Sequence, residues 1–208
     1  MKIASIIILC GLLTACSYSP KEDKNKSSET SKNTKEIIKE KTETFQNVEL
    51  TYPGSDISFK VNIKKNNLLI QPSGLSISNE TFQHDITGYT VTKAEIGDLD
   101  IDGYPEVFVY LNSKGSGSYG KLIGYSVNNG KSVSLVHLPE IIENKKISQG
   151  YMGHDQMGIV ENIFYISFPI YKENDNNTNP TGGTRKIQYE LTRGESCKVL
   201  KIDKVFEF

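Results

Sequence analysis

The chain has 208 residues, 37% hydrophobic and 24% charged, with no Trp, which is material for one globular domain or at most two small ones. Its 24 Lys and Arg against 25 Asp and Glu leave a formal charge of −1, so it lacks the broad basic field of a nucleic-acid binder. Three Cys are too few for a disulfide framework.

Met1-Lys2 is a short positive start, followed by the apolar run Ile3 to Leu13. A run of that length is too short for a permanent bilayer span and fits a signal peptide covering residues 1–15. The following Leu13-Thr14-Ala15-Cys16 resembles the bacterial lipobox. That resemblance implies diacylglycerol on Cys16, which becomes the first mature residue and holds the chain to the cell envelope. Ser17 rather than Asp after the lipidated Cys points to the outer membrane under the enterobacterial sorting rule. Cys10 leaves with the signal and Cys16 is consumed by lipid, so Cys197 has no partner within the chain. Its alternating surroundings, Ser196 to Ile202, suggest a buried structural thiol. Residues 16–45 are rich in Ser, Thr, Lys, Glu and Asn and cannot bury enough apolar surface to order themselves. They form a tether of about 30 Å root-mean-square span.

From residue 46 onward the hydrophobic period is two. Ile57, Phe59, Val61 and Ile63 alternate with polar partners, as do Val107, Val109 and Leu111. Further strands are predicted at Leu122–Val127, Val133–Leu138, Ile163–Tyr171, Ile187–Leu191 and Val199–Ile202. Asn129-Gly130 marks a hairpin, because both residues tolerate positive φ, and Arg193-Gly194 marks a second. The expectation is an all-β domain over 46–208, an antiparallel β-sandwich of about eight to ten short strands.

Within that domain three constellations stand out. Asp98, Asp100 and Asp102, with Gly103 next, have the spacing of a calcium loop, and Glu106 adds a further carboxylate. The twelfth position of the loop is Val109 and no helices flank it, so it is not an EF-hand. It is more like the inter-strand calcium loops of integrin-type repeats. A structural calcium ion and a metal-free acidic turn both stay open; a bound ion would make the chain a calcium-dependent envelope or adhesion module. Gly115-Ser-Gly-Ser-Tyr-Gly120 fits a dinucleotide glycine pattern literally, but a strand follows where a phosphate site needs a helix. Neither Ser116 nor Ser118 has the flanking glycines of a nucleophile elbow. Tyr151-Met-Gly-His154-Asp155 pairs a His with an acid. Adjacent residues of an extended chain point to opposite faces, so the two do not orient each other for catalysis.

Ser116-Gly-Ser-Tyr119, the strand Leu122–Val127 with Asn128-Asn-Gly-Lys-Ser132, Gly150-Tyr-Met-Gly-His-Asp155 and Asn179-Pro-Thr-Gly-Gly-Thr-Arg185 together resemble the periplasmic inhibitors of i-type (invertebrate) lysozyme. The likeness covers about residues 80–200. It implies a β-sandwich, no enzymatic activity, no required cofactor, and an i-type lysozyme as partner. By that resemblance Ser116, Gly117, Ser118 and Tyr119 form one inserting loop, and Tyr151, Gly153 and Asp155 the other. The lipobox departs from a freely soluble periplasmic form. From residue 46 on there are 16 basic and 19 acidic side chains, a mild acidity that assists encounter with a basic partner. Whether the chain forms a homodimer is left open by the sequence.

Overall fold

A computed structural model describes residues 45–208, so the expected signal peptide, the expected lipidation site Cys16 and nearly all of the expected tether lie outside the described residues. The described chain is all-β: twelve strands and one short 3-10 turn, in two sheets. The first sheet runs in sequence order through β1 (Val48–Thr51), β2 (Ser58–Lys64), β3 (Asn67–Ser73) and β4 (Phe82–Asp85). The second contains β5 (Tyr89–Gly97), β6 (Glu106–Ser113), β7 (Gly120–Asn128), β8 (Ser132–His137), β9 (Gln156–Val160), β10 (Ile163–Pro169), β11 (Thr184–Arg193) and β12 (Lys198–Glu207). Their spatial order is β5-β6-β7-β8-β12-β11-β10-β9.

The continuous apolar run of β6 has a direct cause: both of its faces are buried. Val107, Val109 and Leu111 pack toward the four-stranded sheet, against Phe59, Val61, Leu68 and Ile70. Phe108 and Tyr110 point the other way, into a second core with Phe164, Phe168, Ile187 and Leu200. A strand covered on both sides loses its polar alternation. Each large side chain buried in this way stabilises the fold by about 1.5–3 kcal/mol. The larger sheet curls until its two edges meet. There Glu95 on β5 accepts a hydrogen bond from the backbone N–H of Ile159 on β9, at 3.1 Å. The fold is therefore a sandwich on one side and nearly a barrel on the other.

The two expected hairpins are present. Asn129 and Gly130 take φ of +49° and +67° between β7 and β8, and Gly194 donates to the carbonyl of Cys197 between β11 and β12. Among the described residues Cys197 has no disulfide partner, and it lies half-buried in this turn rather than inside a strand. The strand count exceeds the expected eight to ten.

The curled sheet is weakly joined at one place. β8 and β12 run parallel and share only two register pairs, Lys198 with Val136 and Val199 with His137. Beyond them the segment from Leu138 to Gly150 fills the opening, burying Ile141 and Ile147 in the second core. Arg185, itself buried, fastens this plug. Its Nη1 donates to the carbonyls of Ile147 (2.5 Å) and Gln149 (2.9 Å), while Nε and Nη2 reach Glu207 at 2.9 and 2.7 Å.

Candidate functional site

The loops that carry three of the sequence motifs meet at one end of the second sheet. The first is the β6–β7 connection, where a turn from Gly115 to Ser118 reverses the chain and Ser118 sits at φ +45°. Asn112 Nδ2 donates to Ser118 Oγ at 2.9 Å, and the Tyr119 N–H donates to Ser113 Oγ at 2.8 Å. Both bonds tie the loop back to the end of β6. Ser118 therefore turns inward as a brace, and Ser116 and Tyr119 are the members of the motif that face solvent. Tyr119 is 46% exposed, an uncommon position for a large aromatic side chain.

The second loop lies directly against the first. The His154 N–H donates to the carbonyl of Gly117 at 2.6 Å, and the Tyr119 and Tyr151 rings meet edge-on with centroids 5.7 Å apart. Contact this close requires glycine. A Cβ on Gly153, whose φ is +86°, would stand 2.1 Å from the Gly117 carbonyl oxygen. Asp155 joins the two loops through one oxygen: Oδ2 accepts from the Gly120 N–H at 2.6 Å and from the Tyr151 hydroxyl at 2.7 Å. Its Oδ1 is buried without a partner. Burial pushes the Asp155 carboxyl above the ordinary aspartate range, although its two hydrogen bonds pull it down. Burial likewise raises the Tyr151 hydroxyl, and the bond to Asp155 adds to the effect.

Gly153 and Asp155 thus lie beneath the surface and hold the loops, while Met152 is the exposed residue at the apex of the second loop. A third loop, from Tyr171 to Thr184, completes the cluster. Asn177 Nδ2 donates to the carbonyl of Ser116 at 2.8 Å, its Oδ1 lies 3.1 Å from His154 Nε2, and its own carbonyl accepts from Tyr171 Oη at 3.0 Å. Sequence reasoning missed Asn177, Asn112 and Met152. A lone Asn in a polar loop carries no sequence signal. His154 and Asp155 diverge as expected, one to Asn177 and the other to Tyr151. His84, whose dipeptide repeats the pattern, lies elsewhere, 2.8 Å from the Tyr125 hydroxyl.

The acidic loop occupies a separate region, between β5 and β6. Asp98 shapes it, accepting from the N–H groups of Asp102 (3.1 Å) and Gly103 (2.9 Å). Asp98, Asp100 and Glu106 place one oxygen each within 4.8 Å of one another, a spacing that could hold a metal ion. A cation from the chain itself already stands there. Lys198 Nζ, at the start of β12, lies 2.6 Å from Asp100, 3.0 Å from Asp102 and 3.2 Å from Glu106. Glu106 is fully buried and also accepts from the Leu99 N–H (2.9 Å) and Ser126 Oγ (2.7 Å). Burial pushes its carboxyl up, while these donors and Lys198 pull it down. For Lys198 burial acts to lower the pKa, yet the surrounding carboxylates outweigh it and hold the ammonium well above the ordinary lysine range. The donor set would fit a calcium ion only after Lys198 withdraws, because cation and ammonium would compete for the same oxygens. No spacing rule could have found Lys198, which is 92 residues from Glu106 along the chain.

No family model, curated protein or solved structure matches this chain.

Proposed function

We propose that this chain is an envelope-anchored, proteinaceous inhibitor of i-type lysozyme with no catalytic role of its own. The observation that supports this reading most is the junction of two motifs far apart in sequence: the Ser116–Tyr119 and Tyr151–Asp155 loops brace each other through His154, Gly117 and Asp155. What they leave outward is a narrow set of groups, Ser116, Tyr119 and Met152. A glycosidase cleft carries two carboxyl groups on either side of the sugar site. A slim Gly/Ser loop can enter where a sugar would lie, and its hydroxyl and amide donors can bond those carboxylates. Tyr119 supplies an aromatic anchor at low entropic cost, because the Tyr151 ring and the Ser113 hydroxyl already fix the loop.

The test is inhibition of i-type and other lysozyme types by residues 17–208. Selective inhibition of the i-type enzyme is expected. Ser116→Arg combined with Tyr119→Ala changes the two outward side chains of the first loop, and inhibition should fall by at least about 30-fold while circular dichroism shows the β domain still folded. Full inhibition by the double variant, or none by the parent chain, would sink the proposal.

A further inference from the structure

The outward face of β9–β12 carries a patch that neither the loop motifs nor the acidic loop uses. Residues paired across neighbouring strands share a face of the sheet, and the buried Arg185, Ile187 and Tyr189 fix which face of β11 is inward. Gln156, Ser167, Lys186 and Phe206 therefore form one outward row across the four strands. Pro169, Thr184 and Phe208 form the next. Three features of these rows bear on what they meet.

The first is aromatic. Phe206 and Phe208 are 38% and 78% exposed, and their rings lie nearly parallel, 12° apart in plane with centroids 6.4 Å apart. Exposed apolar groups gathered in this way mark a contact surface.

The second is a groove of about 760 Å³ that meets the patch at Thr184, the backbone partner of Phe208. It runs between Ser167, Pro169 and Thr184 on the sheet and the third loop, where Tyr171 and Pro180 add apolar wall. A groove of this volume falls within the range of small-molecule sites. Gln156, Ser167 and Thr184 bring an amide and two hydroxyls to it. Among the described residues these three side chains hydrogen-bond to no protein group, whereas Asn177 and Thr178 on the third loop are already engaged.

The third feature is charge. No Asp, Glu, Lys or Arg lines the groove. The two rows hold one charged side chain, Lys186, and the Tyr165 ring fixes it, with Nζ 4.3 Å from the ring centroid. An anionic membrane surface calls for a cluster of Lys and Arg, which this patch lacks. What it offers is rings, hydroxyls and an amide, the partners of a sugar. A pyranose has an apolar C–H face that lies on an aromatic ring, and a rim of hydroxyls that exchange hydrogen bonds with neutral polar side chains.

We infer that the outward face of β10–β12 and the adjoining groove bind a glycan strand. Sugar rings stack on Phe206 and Phe208, and Lys186 donates to a sugar oxygen between them and Ser167. Gln156, Ser167 and Thr184 take the hydroxyl and N-acetyl substituents. The inference does not rest on the lysozyme reading: Tyr119 and Met152 lie outside the patch, and of the outward loop groups Ser116 alone borders the groove.

Isothermal titration calorimetry of residues 17–208 with the tetramer of N-acetylglucosamine tests it. Saturable binding with a Kd below about 1 mM is expected. Phe206→Ala combined with Phe208→Ala should weaken it by about tenfold or more, with Tm unchanged. Ser167→Val keeps a β-branched residue in the strand, removes one hydroxyl, and should weaken binding by about fivefold. Neither variant alters the Tyr119 loop, so loss of sugar binding and loss of lysozyme inhibition are scored separately. Absence of saturable binding by the parent at millimolar sugar would overturn the inference. So would binding undiminished in either variant, or a parent chain that uses Phe206 and Phe208 to bind phosphatidylglycerol vesicles and leaves the sugar free.

Discussion

Asp155 offers the sharpest test of how the loop cluster is held. Asp155→Ala removes the acceptor shared by Gly120 and Tyr151, while the carboxyl it replaces is buried. Each buried donor left without a partner costs about 1–3 kcal/mol, so the two together cost about 2–6 kcal/mol. In a domain of this size that lowers Tm by about 5–20 °C. Asp155→Asn behaves differently, because its amide oxygen can accept both bonds and its NH₂ group replaces the unpartnered Oδ1. The sign of the pH dependence follows from the raised pKa. The folded state holds the Asp155 proton more tightly than the unfolded state does. This contribution to stability is complete below the ordinary aspartate value of 3.8 and is lost as pH rises through the folded value. Urea unfolding across acid to neutral pH should therefore show Asp155→Asn matching the parent at low pH and exceeding it at neutral pH. Equal destabilisation by Asn and Ala at every pH would refute the reasoning, since it would mean that the charge itself is required.

Gly153→Ala forces a Cβ against the Gly117 carbonyl at positive φ, and should cost about 2–4 kcal/mol by chemical denaturation and displace the second loop. An unchanged denaturation midpoint would mean the two loops are not in contact. Lys198→Met leaves Asp100, Asp102 and Glu106 without their cation and should cost about 3 kcal/mol. Calcium should raise the Tm of that variant and leave the parent unmoved; a calcium-stabilised parent would show that an ion binds with Lys198 in place. Because the Lys198 pKa is raised, its contribution is complete below the ordinary lysine value of 10.5 and is lost at higher pH, so thermal melts of the parent should weaken there and those of Lys198→Met should not. Arg185→Met leaves two carbonyls of the plug unpaired and should make the amides of residues 141–149 exchange with solvent faster than those of β6.

Much of the fold was legible because period-two alternation reports a sheet with one wet face, and β2, β10 and β11 are such strands. β3 was missed because Pro72 and the paired Leu68-Leu69 break that alternation, and β9 because Gly158 and Gln156 read as loop. The long β5 was lost among the polar residues Thr90, Thr92, Lys93 and Glu95 on its exposed stretch. At the candidate site the loop motifs were legible as residues but not as roles. Burial decides that Ser118, Gly153 and Asp155 brace the loops while Ser116, Tyr119 and Met152 face outward, and burial is a property of neighbours such as Asn112 and Asn177. Lys198 is the plainest example. The Asp98–Glu106 spacing announced a cation, and the chain supplies one from a strand that local sequence could not connect to it.

The double burial of β6 has a consequence for how the molecule comes apart. A wall shared by two cores cannot be withdrawn from one without opening the other, so neither core has an independent melting transition. Its Glu106 end anchors the acidic loop, and its Asn112-Ser113 end anchors the Tyr119 loop. The two sites therefore sit at opposite ends of one stiff rod, about 25 Å apart at the rise of an extended strand. Whatever meets the Tyr119 loop pulls on a strut that is grounded at the far side of the domain.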